Sequence, residues 1–418
     1  MTAWVTEFRP TPDELDACVQ CGLCLSHCPT FRLTGKETAS PRGRIQAMNA
    51  VGDGVLAMDS TFEDIIGFCL GCRACEPVCP GMVPYGRLLE GTRAEIVEQR
   101  PSFSHRVRAF ALGPLLASRW ALTIGTWLLL FAQVLHLMVL IPTRFRRAVS
   151  GLRPLTRRGP SYLGYEGGSG ARGRVALLTG CIQDQWFRAT NAAAIELLEM
   201  AGFRVEAPSA QTCCGALAAH DGKAKQAADL AATNVSALVD YDMVVATAAG
   251  CSAHLREYGH WAPEGAAIGE VAVDITVAVA HEIEQGNLPR LHRDNGEIAI
   301  QDPCHLRHAQ RVVEEPRAIL VAGGYRPVEI DPLGLCCGAA GAYTVLQADA
   351  SRQLGNQKAD QIRSSGVSRV ASANPGCEMQ IRAAMEGSVV VAHPIEWYLE
   401  AVRSAADRGN VAAVEKPS

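Results

Sequence analysis

Neither sign of charge dominates this chain: 39 Lys and Arg stand against 43 Asp and Glu, for a formal net charge of −4. That balance excludes the basic surface of a nucleic-acid binder and the composition of a disordered acidic tail. The N-terminus, MTAWVTEFRPTPDELDACVQ, has no basic stretch followed by an apolar one and a small-residue cleavage site, so no secretory signal is read there. A reducing, cytoplasmic setting is the expectation, and it argues against a disulfide framework. Also missing is a Gly-rich dinucleotide fingerprint between a strand and a helix, since GDG at 52–54 and GGSG at 167–170 are weak matches alone.

What the chain does have is 418 residues, too many for one ordinary core, and 16 cysteines in regular groups. Clustered cysteines in a reducing compartment usually bind metal. Cys18, Cys21, Cys24 and Cys28 precede Pro29; Cys69, Cys72, Cys75 and Cys79 precede Pro80. Both groups obey C-x2-C-x2-C-x3-C-P, in which three thiolates curl around one cubane and the fourth ligates the other. Two [4Fe-4S] clusters follow. Cluster I takes Cys18, Cys21, Cys24 and Cys79; cluster II takes Cys28, Cys69, Cys72 and Cys75. Zinc, which wants four tetrahedral ligands per site, gains nothing from such a duplication. The residues between the two runs, with GRIQAMNAVGDG and STFEDIIGFCL, carry helical rather than hairpin patterning.

Residues 121–141, ALTIGTWLLLFAQVLHLMVLI, are uncharged and long enough to span a bilayer. Arg119 precedes them, and Arg144, Arg146, Arg147, Arg153, Arg157 and Arg158 follow, which would put the C-terminal side in the cytoplasm. One span would then strand the cluster-binding region outside. An in-plane helix with basic residues on the headgroups, or a surface covered by a partner, is preferred to a span. Gln133 and His136 could face a quinone, although an ordinary polar pair is the simpler reading.

The second half is duplicated. VALLTGCIQD places Cys181 after a short strand and AIQDPCHLRHAQ places Cys304 likewise; 32 residues later come Cys213-Cys214-Gly215 and Cys336-Cys337-Gly338. The offset is 123 residues for all three cysteines, and 126 for the last pair, Cys251 and Cys377. Strand and helix signals between them fit two α/β lobes with small parallel sheets. Each quartet could hold a further cluster or zinc, act as redox-active thiols, or be inert core; His254 and His305 are spare candidate ligands.

The fold expected is α+β multidomain: a helical two-cluster ferredoxin domain over 1–100, an apolar helical segment over 101–150, a linker over 151–173, and lobes over 174–290 and 291–418. This arrangement, with CVQCGLCLSHCPTFRLTGKETASPRGRI, DPCHLRHAQ, LCCGAAGAY, NPGCEMQI and HPIEWYLE, resembles the iron-sulfur subunits of bacterial glycolate oxidases. These are tandem cysteine-rich (CCG) proteins related to anaerobic glycerol-3-phosphate dehydrogenase, lactate-utilisation and heterodisulfide reductase subunits. The resemblance implies a flavoprotein partner that oxidises glycolate and electron transfer towards a membrane quinone; the apolar, Arg-flanked segment adds the expectation of peripheral attachment at the inner face of the cytoplasmic membrane. It implies a substrate site on another subunit, and a further redox or metal site at the lobe cysteines. Glycerol-3-phosphate or lactate oxidation, or thiol-disulfide reduction, are the alternatives. Heterodisulfide reductases end each repeat in C-x-x-C, whereas this chain has His254 and Gln380 there, which argues against five-thiolate clusters.

Overall fold

The computed structural model describes residues 4–407 apart from 112–114, 117, 143–145, 147–148 and 169. Five helices build the N-terminal region: α1 (Pro12–Asp16), α2 (Pro29–Thr34), α3 (Pro41–Gly52), α4 (Ser60–Gly67) and α5 (Tyr85–Gln99). Local chemistry sets their starts. Thr11 and Glu14 form a reciprocal capping box, Ser40 accepts from the Gly43 amide, Asp59 accepts from the Phe62 amide, and prolines open α1, α2 and α3. Their apolar faces share one core of Ile45, Met48, Phe62, Ile66, Leu88 and Leu89, which also takes in Cys69 and Cys75. No strand occurs among the described residues of this region, so the connection between the cysteine runs is helical.

The apolar run does not form one helix. After α6 (Phe103–Phe110), α7 covers Arg119–Val134 and ends where His136 adopts φ 56°, followed by a 3-10 turn over Leu137–Leu140. A helix of 16 residues is about 24 Å long, short of the ~30 Å hydrocarbon core. Among the described residues no helix is long and apolar enough to cross a membrane. Part of the basic flank also finds its partners within the chain. Arg119 donates to the carbonyls of Ser209 and Gln211, Arg158 lies over the Trp127 ring, and Arg153 is held between Glu378 and Glu396. Arg144 and Arg147 lie outside the described residues.

Two sheets follow. The first contains β1 (Arg174–Leu178), β2 (Arg204–Glu206), β3 (Met243–Ala246) and β4 (Ala272–Asp274), all parallel, in the order β2-β1-β3-β4. The second repeats it with β5 (Gly296–Gln301), β6 (Tyr325–Glu329), β7 (Arg369–Ser372) and β8 (Val390–Ala392), in the order β6-β5-β7-β8. In each the order reverses beside the first strand, so a crevice opens at the carboxyl ends of β1 and β3, and of β5 and β7. The lobes are fused: Val175, Leu177 and Leu197 share a core with Ile319, and with Ile395 and Tyr398 of the C-terminal helix Pro394–Ala406.

Candidate functional site

Both ferredoxin runs fold the same way around their thiols. Gln20 and Gly71 hold equivalent places with φ 58° and 66°, and so do Gly22 and Arg73 with φ 82° and 60°. These left-handed residues turn the chain back between cysteines. The Gly71 amide and the Tyr85 hydroxyl point at the Cys69 sulfur, and the Gln20 side-chain amide points at that of Cys18. Cys28, Cys69, Cys72 and Cys75 are buried, Cys18, Cys24 and Cys79 half-buried, and Cys21 exposed. The second run meets Cys28 electrostatically at Cys72 and Cys75. After Cys79 the chain passes so close to Ala17 that a Cβ on Gly81 would lie 2.3 Å from the Ala17 carbonyl.

Whether these residues fit an anionic cluster is tested by Arg44, which is 0 % exposed. Its guanidinium bonds only neutral oxygens: the Ile65 carbonyl at 2.9 Å, the Ala39 carbonyl at 2.9 Å and Thr30 Oγ1 at 3.2 Å. An unpaired buried cation is costly, on the order of several kcal/mol, and is retained where a counter-charge exists. Burial disfavours the charged guanidinium, yet the nearby Cys69, Tyr85 and Cys28 raise its pKa above the ordinary value. In return, and against its own burial, Cys69 is pulled down by Arg44 and Arg93. A thiolate-bound cluster of net negative charge held at Cys28 and Cys69 would supply the counter-charge that Arg44 lacks.

In the lobes the cysteines stand in the crevices at the strand ends. Cys181 follows β1 and Cys251 follows β3; Cys304 follows β5 and Cys377 follows β7; the two Cys-Cys-Gly turns follow β2 and β6. Gly215 and Gly338 take φ 94° and 85°, which lets each turn double back. Cys181 Sγ lies 3.4 Å from Cys213 Sγ, and Cys214 Sγ 3.2 Å from Cys251 Sγ. The second lobe pairs Cys304 with Cys336 and Cys337 with Cys377 in the same way. Hydrogen bonds from neighbouring thiols hold Cys213, Cys304 and Cys337 well below the usual thiol range and raise their partners. Each quartet is thus a row of thiols in mutual contact. Among the described residues no three His, Cys, Asp or Glu side chains converge at single-ion distance.

All eight lobe cysteines line one cavity of about 650 Å³, and Cys69 lines it too. The crevices face each other: the Ala249 amide donates to the Ala373 carbonyl, and the Gly250 amide to Asn374 Oδ1, while Asn374 Nδ2 reaches Cys377 Sγ. The second ferredoxin run and the second lobe pack together, since Cys72 and Cys336 belong to one apolar cluster with Leu70 and Tyr343, against which Cys304 packs.

The spare histidines differ. His254 is 3 % exposed, packs edge-on against Tyr258, and has Nε2 buried without a partner; burial lowers its pKa to about 4, so the ring is neutral. His305 bonds Cys304 Sγ through Nδ1 and also leaves Nε2 buried without a partner. Gln380 is spent on Ser351. Gln133 does not face a ligand: its side chain accepts from the Leu155 amide and donates to the Arg153 carbonyl. Sequence reasoning missed three groups: Arg44, although PRGR stood out; Arg93, which joins the Cys69 carbonyl to the His220 carbonyl; and the His220–Glu90 pair at 2.6 Å. The last joins residues 130 apart, with no local signal.

The 4Fe-4S dicluster domain family matches residues 14–83, and the cysteine-rich domain family matches residues 175–256 and 298–382. The probable glycolate oxidase iron-sulfur subunit of Bacillus subtilis (strain 168) is 33% identical, the match covering 94% of this chain and 96% of that protein. The glycolate oxidase iron-sulfur subunit of Escherichia coli (strain K12) is 31% identical over 91% of this chain and 93% of its own length. A fumarate reductase (CoM/CoB) subunit of Methanothermobacter marburgensis is 26% identical over 89% of this chain and 68% of its own length. Two cysteine runs built for clusters, a duplicated lobe with facing quartets and these near full-length matches converge: the chain belongs to the glycolate oxidase iron-sulfur subunit family.

Proposed function

We propose that this chain is the electron-transfer subunit of a flavin-dependent 2-hydroxy-acid oxidase, most simply a glycolate oxidase, carrying electrons from a flavoprotein partner towards a membrane quinone. Cys18, Cys21, Cys24 and Cys79 hold one [4Fe-4S] cluster; Cys28, Cys69, Cys72 and Cys75 hold the other; the lobe quartets hold a further redox-active metal group. The clusters supply one-electron chemistry when bound. The chain contributes burial, amide and hydroxyl bonds to sulfur, and the Arg44 counter-charge. The observation that carries this reading is the nearness of the two thiol sets: Cys69 of the second ferredoxin run lines the same cavity as the eight lobe cysteines, and Cys72 and Cys304 belong to one apolar cluster. The exposed face of α7, with Trp120, Ile124, Trp127, Leu128 and Phe131, supports peripheral attachment at the cytoplasmic face of the membrane.

The test is anaerobic addition of glycolate to the purified chain with and without its flavoprotein partner. Cubane signals in electron paramagnetic resonance are expected to appear only with the partner present, on a chain holding about eight iron atoms or more. Iron well below that, with no cubane signal after dithionite, would overturn the reading. A thiol-disulfide reductase is the second reading, prompted by the similarity to the CoM/CoB fumarate reductase protein. Gln380, bonded to Ser351, stands against it in the second lobe.

A further inference from the structure

The two cysteine quartets of the ferredoxin region sit in unlike surroundings. Cys18, Cys24 and Cys79 are half-buried, and Cys21 is exposed, flanked in sequence by exposed Val19 and Leu23. Cys28, Cys69, Cys72 and Cys75 are all buried, and Cys69 lines the cavity of the lobe thiols. The first quartet is therefore the outer end of the domain and the second the inner end. Reduction adds negative charge to a cluster, which burial by itself disfavours, so a dry inner site would be the harder of the two to reduce. That order holds only if the neighbouring charges are alike, and they are not.

Arg44, on α3, stands between the two chain segments that supply the inner quartet, and Cys69 and Cys28 both act on its charge. Its Nη2 donates to Thr30 Oγ1, which lies 3.3 Å from Cys28 Sγ, and its Nη1 donates to the Ala39 carbonyl, 3.5 Å from the same sulfur. At Cys69 the Gly71 amide and the Tyr85 hydroxyl approach Sγ to 3.4 and 3.7 Å. Arg93 is a second cation there, donating to the carbonyls of Cys69, Ile66 and His220. Among the described residues, the oxygens that these two guanidinium groups bond are carbonyls and one hydroxyl, with no carboxylate. Arg73, in the second run, is instead matched by Glu76 and Glu257 and adds no net positive charge.

At the outer quartet Arg42 donates to the Gln20 carbonyl, but Glu37 clamps its guanidinium at 2.7 and 3.2 Å. That pair neutralises itself and is exposed enough for water and salt to screen what remains. A neutral group, the Gln20 side-chain amide, donates to Cys18 Sγ at 3.3 Å. We infer that Arg44, seconded by Arg93, makes the inner cluster the more readily reduced of the two and so gives the ferredoxin domain a direction, from the Cys21 side inward to the lobes. The inference rests on the reading above that each quartet holds a [4Fe-4S] cluster. An unpaired cation in a dry shell acts strongly on an added electron, whereas a screened ion pair does not. Each inward transfer moves one electron and no proton: the outer cluster is oxidised as the inner one is reduced. Arg44 carries no electron; it is a positioning residue that acts through its charge.

The test is an anaerobic redox titration of the cluster-loaded full chain with dithionite, followed by electron paramagnetic resonance, with Cys21→Ser as the variant that marks the outer signal. The signal that appears first on reduction should be the one that Cys21→Ser leaves unchanged. Arg44→Gln should weaken the inner cluster's hold on its electron at least tenfold, a fall of about 59 mV for a one-electron couple, with the outer midpoint unmoved. Arg44→Lys keeps the charge and should restore most of that loss. A Lys chain that titrates like the Gln chain would assign the effect to packing and overturn the inference. Should Arg44→Gln lose its iron, Arg93→Gln, at a half-buried position, is read in its place and should move the same midpoint in the same direction. An unmoved inner midpoint in the variant that keeps its iron, or a first signal that Cys21→Ser alters, would also overturn it. Two clusters reduced in the opposite order defeat this inference alone; a parent chain with iron well below about eight atoms and no cubane signal defeats the reading on which it rests.

Discussion

In the first lobe the Cys213–Cys214 turn hangs on neutral groups. Asn234 Oδ1 accepts from the Thr212 amide, Asn234 Nδ2 donates to the Cys213 carbonyl, and the Tyr258 hydroxyl donates to the Cys214 carbonyl. In the second lobe the turn that leads into Cys336–Cys337 hangs on an ion pair. Asp331 accepts from the amides of Leu333 and Leu335, and Lys358 Nζ sits 2.5 Å from it, with only 4 % and 6 % of the Lys358 and Asp331 side chains exposed. The first lobe keeps a free imidazole nitrogen at His254, whereas the second spends Gln380 on Ser351. The second packs on the ferredoxin run through Tyr343, whose hydroxyl donates to the Phe68 carbonyl, and the first backs onto α7 through Trp186. The two lobes thus share the number and order of their thiols but not the groups that support them, and one lobe packs towards the ferredoxin run while the other packs towards the apolar segment.

The largest effect expected on this contrast comes from Lys358→Met. It strands the Asp331 carboxylate in a site closed to water, and breaking one partner of a buried pair costs about 3–5 kcal/mol. The melting transition should fall accordingly, and a loss under about 1 kcal/mol would mean that the ion pair is not the anchor of the second turn. Asn234→Leu is the counterpart in the first lobe. It leaves the Thr212 amide and the Cys213 carbonyl without their partners, a penalty of about 1–3 kcal/mol by the same measurement. If the two variants cost the same, charge is not what separates the lobes.

Much of this organisation was legible in the primary structure because it is local or periodic. The ferredoxin spacing is a rule about neighbouring residues, and the lobes announce themselves through one repeated offset between cysteines. The strands preceding Cys181 and Cys304 were equally plain as short apolar runs. What escaped depends on the third dimension. Nothing around His136 announces a left-handed residue, yet that one φ divides the apolar run. Arg153 read as part of a basic flank, but Glu378 and Glu396, more than 200 residues away, take it inside. Arg44 lay in a conspicuous motif, although only burial without a carboxylate partner shows that it answers the charge of the thiolates.

His254→Gln brings the residue type of the second lobe into the first. Because Nε2 has no partner among the described residues, stability should hold to about 1 kcal/mol. The measurement that matters is metal content in a background carrying Cys336→Ser, where the first lobe dominates the lobe-bound iron and zinc. A fall in that content would make the imidazole a ligand that distinguishes the lobes. Unchanged metal would reduce His254 to a ring packed on Tyr258 and Trp261.

The subtlest difference is one of pH. Burial alone would raise Asp331, but Lys358 and the amides of Leu335 and Leu333 outweigh it and hold the carboxyl below its ordinary value. A carboxyl depressed on folding adds stability that is fully present above its unfolded pKa, about 3.9, and drains away as pH falls through the lower folded value. The second turn should therefore loosen only below about pH 4. Asn234 and Tyr258 carry no charge in that range, so the first turn has no matching window. Amide hydrogen exchange on the metal-free chain between pH 5 and 3, corrected for intrinsic rates, separates the two: protection at Leu335 should decline relative to protection at Thr212 as the acid limb is entered. Replacing Asp331 by Asn removes the titrating group and should abolish the differential while protection at Thr212 stays as it was. Parallel loss at both amides in the parent chain would show that acid opens the lobes together, and that the ion pair sets no boundary between them.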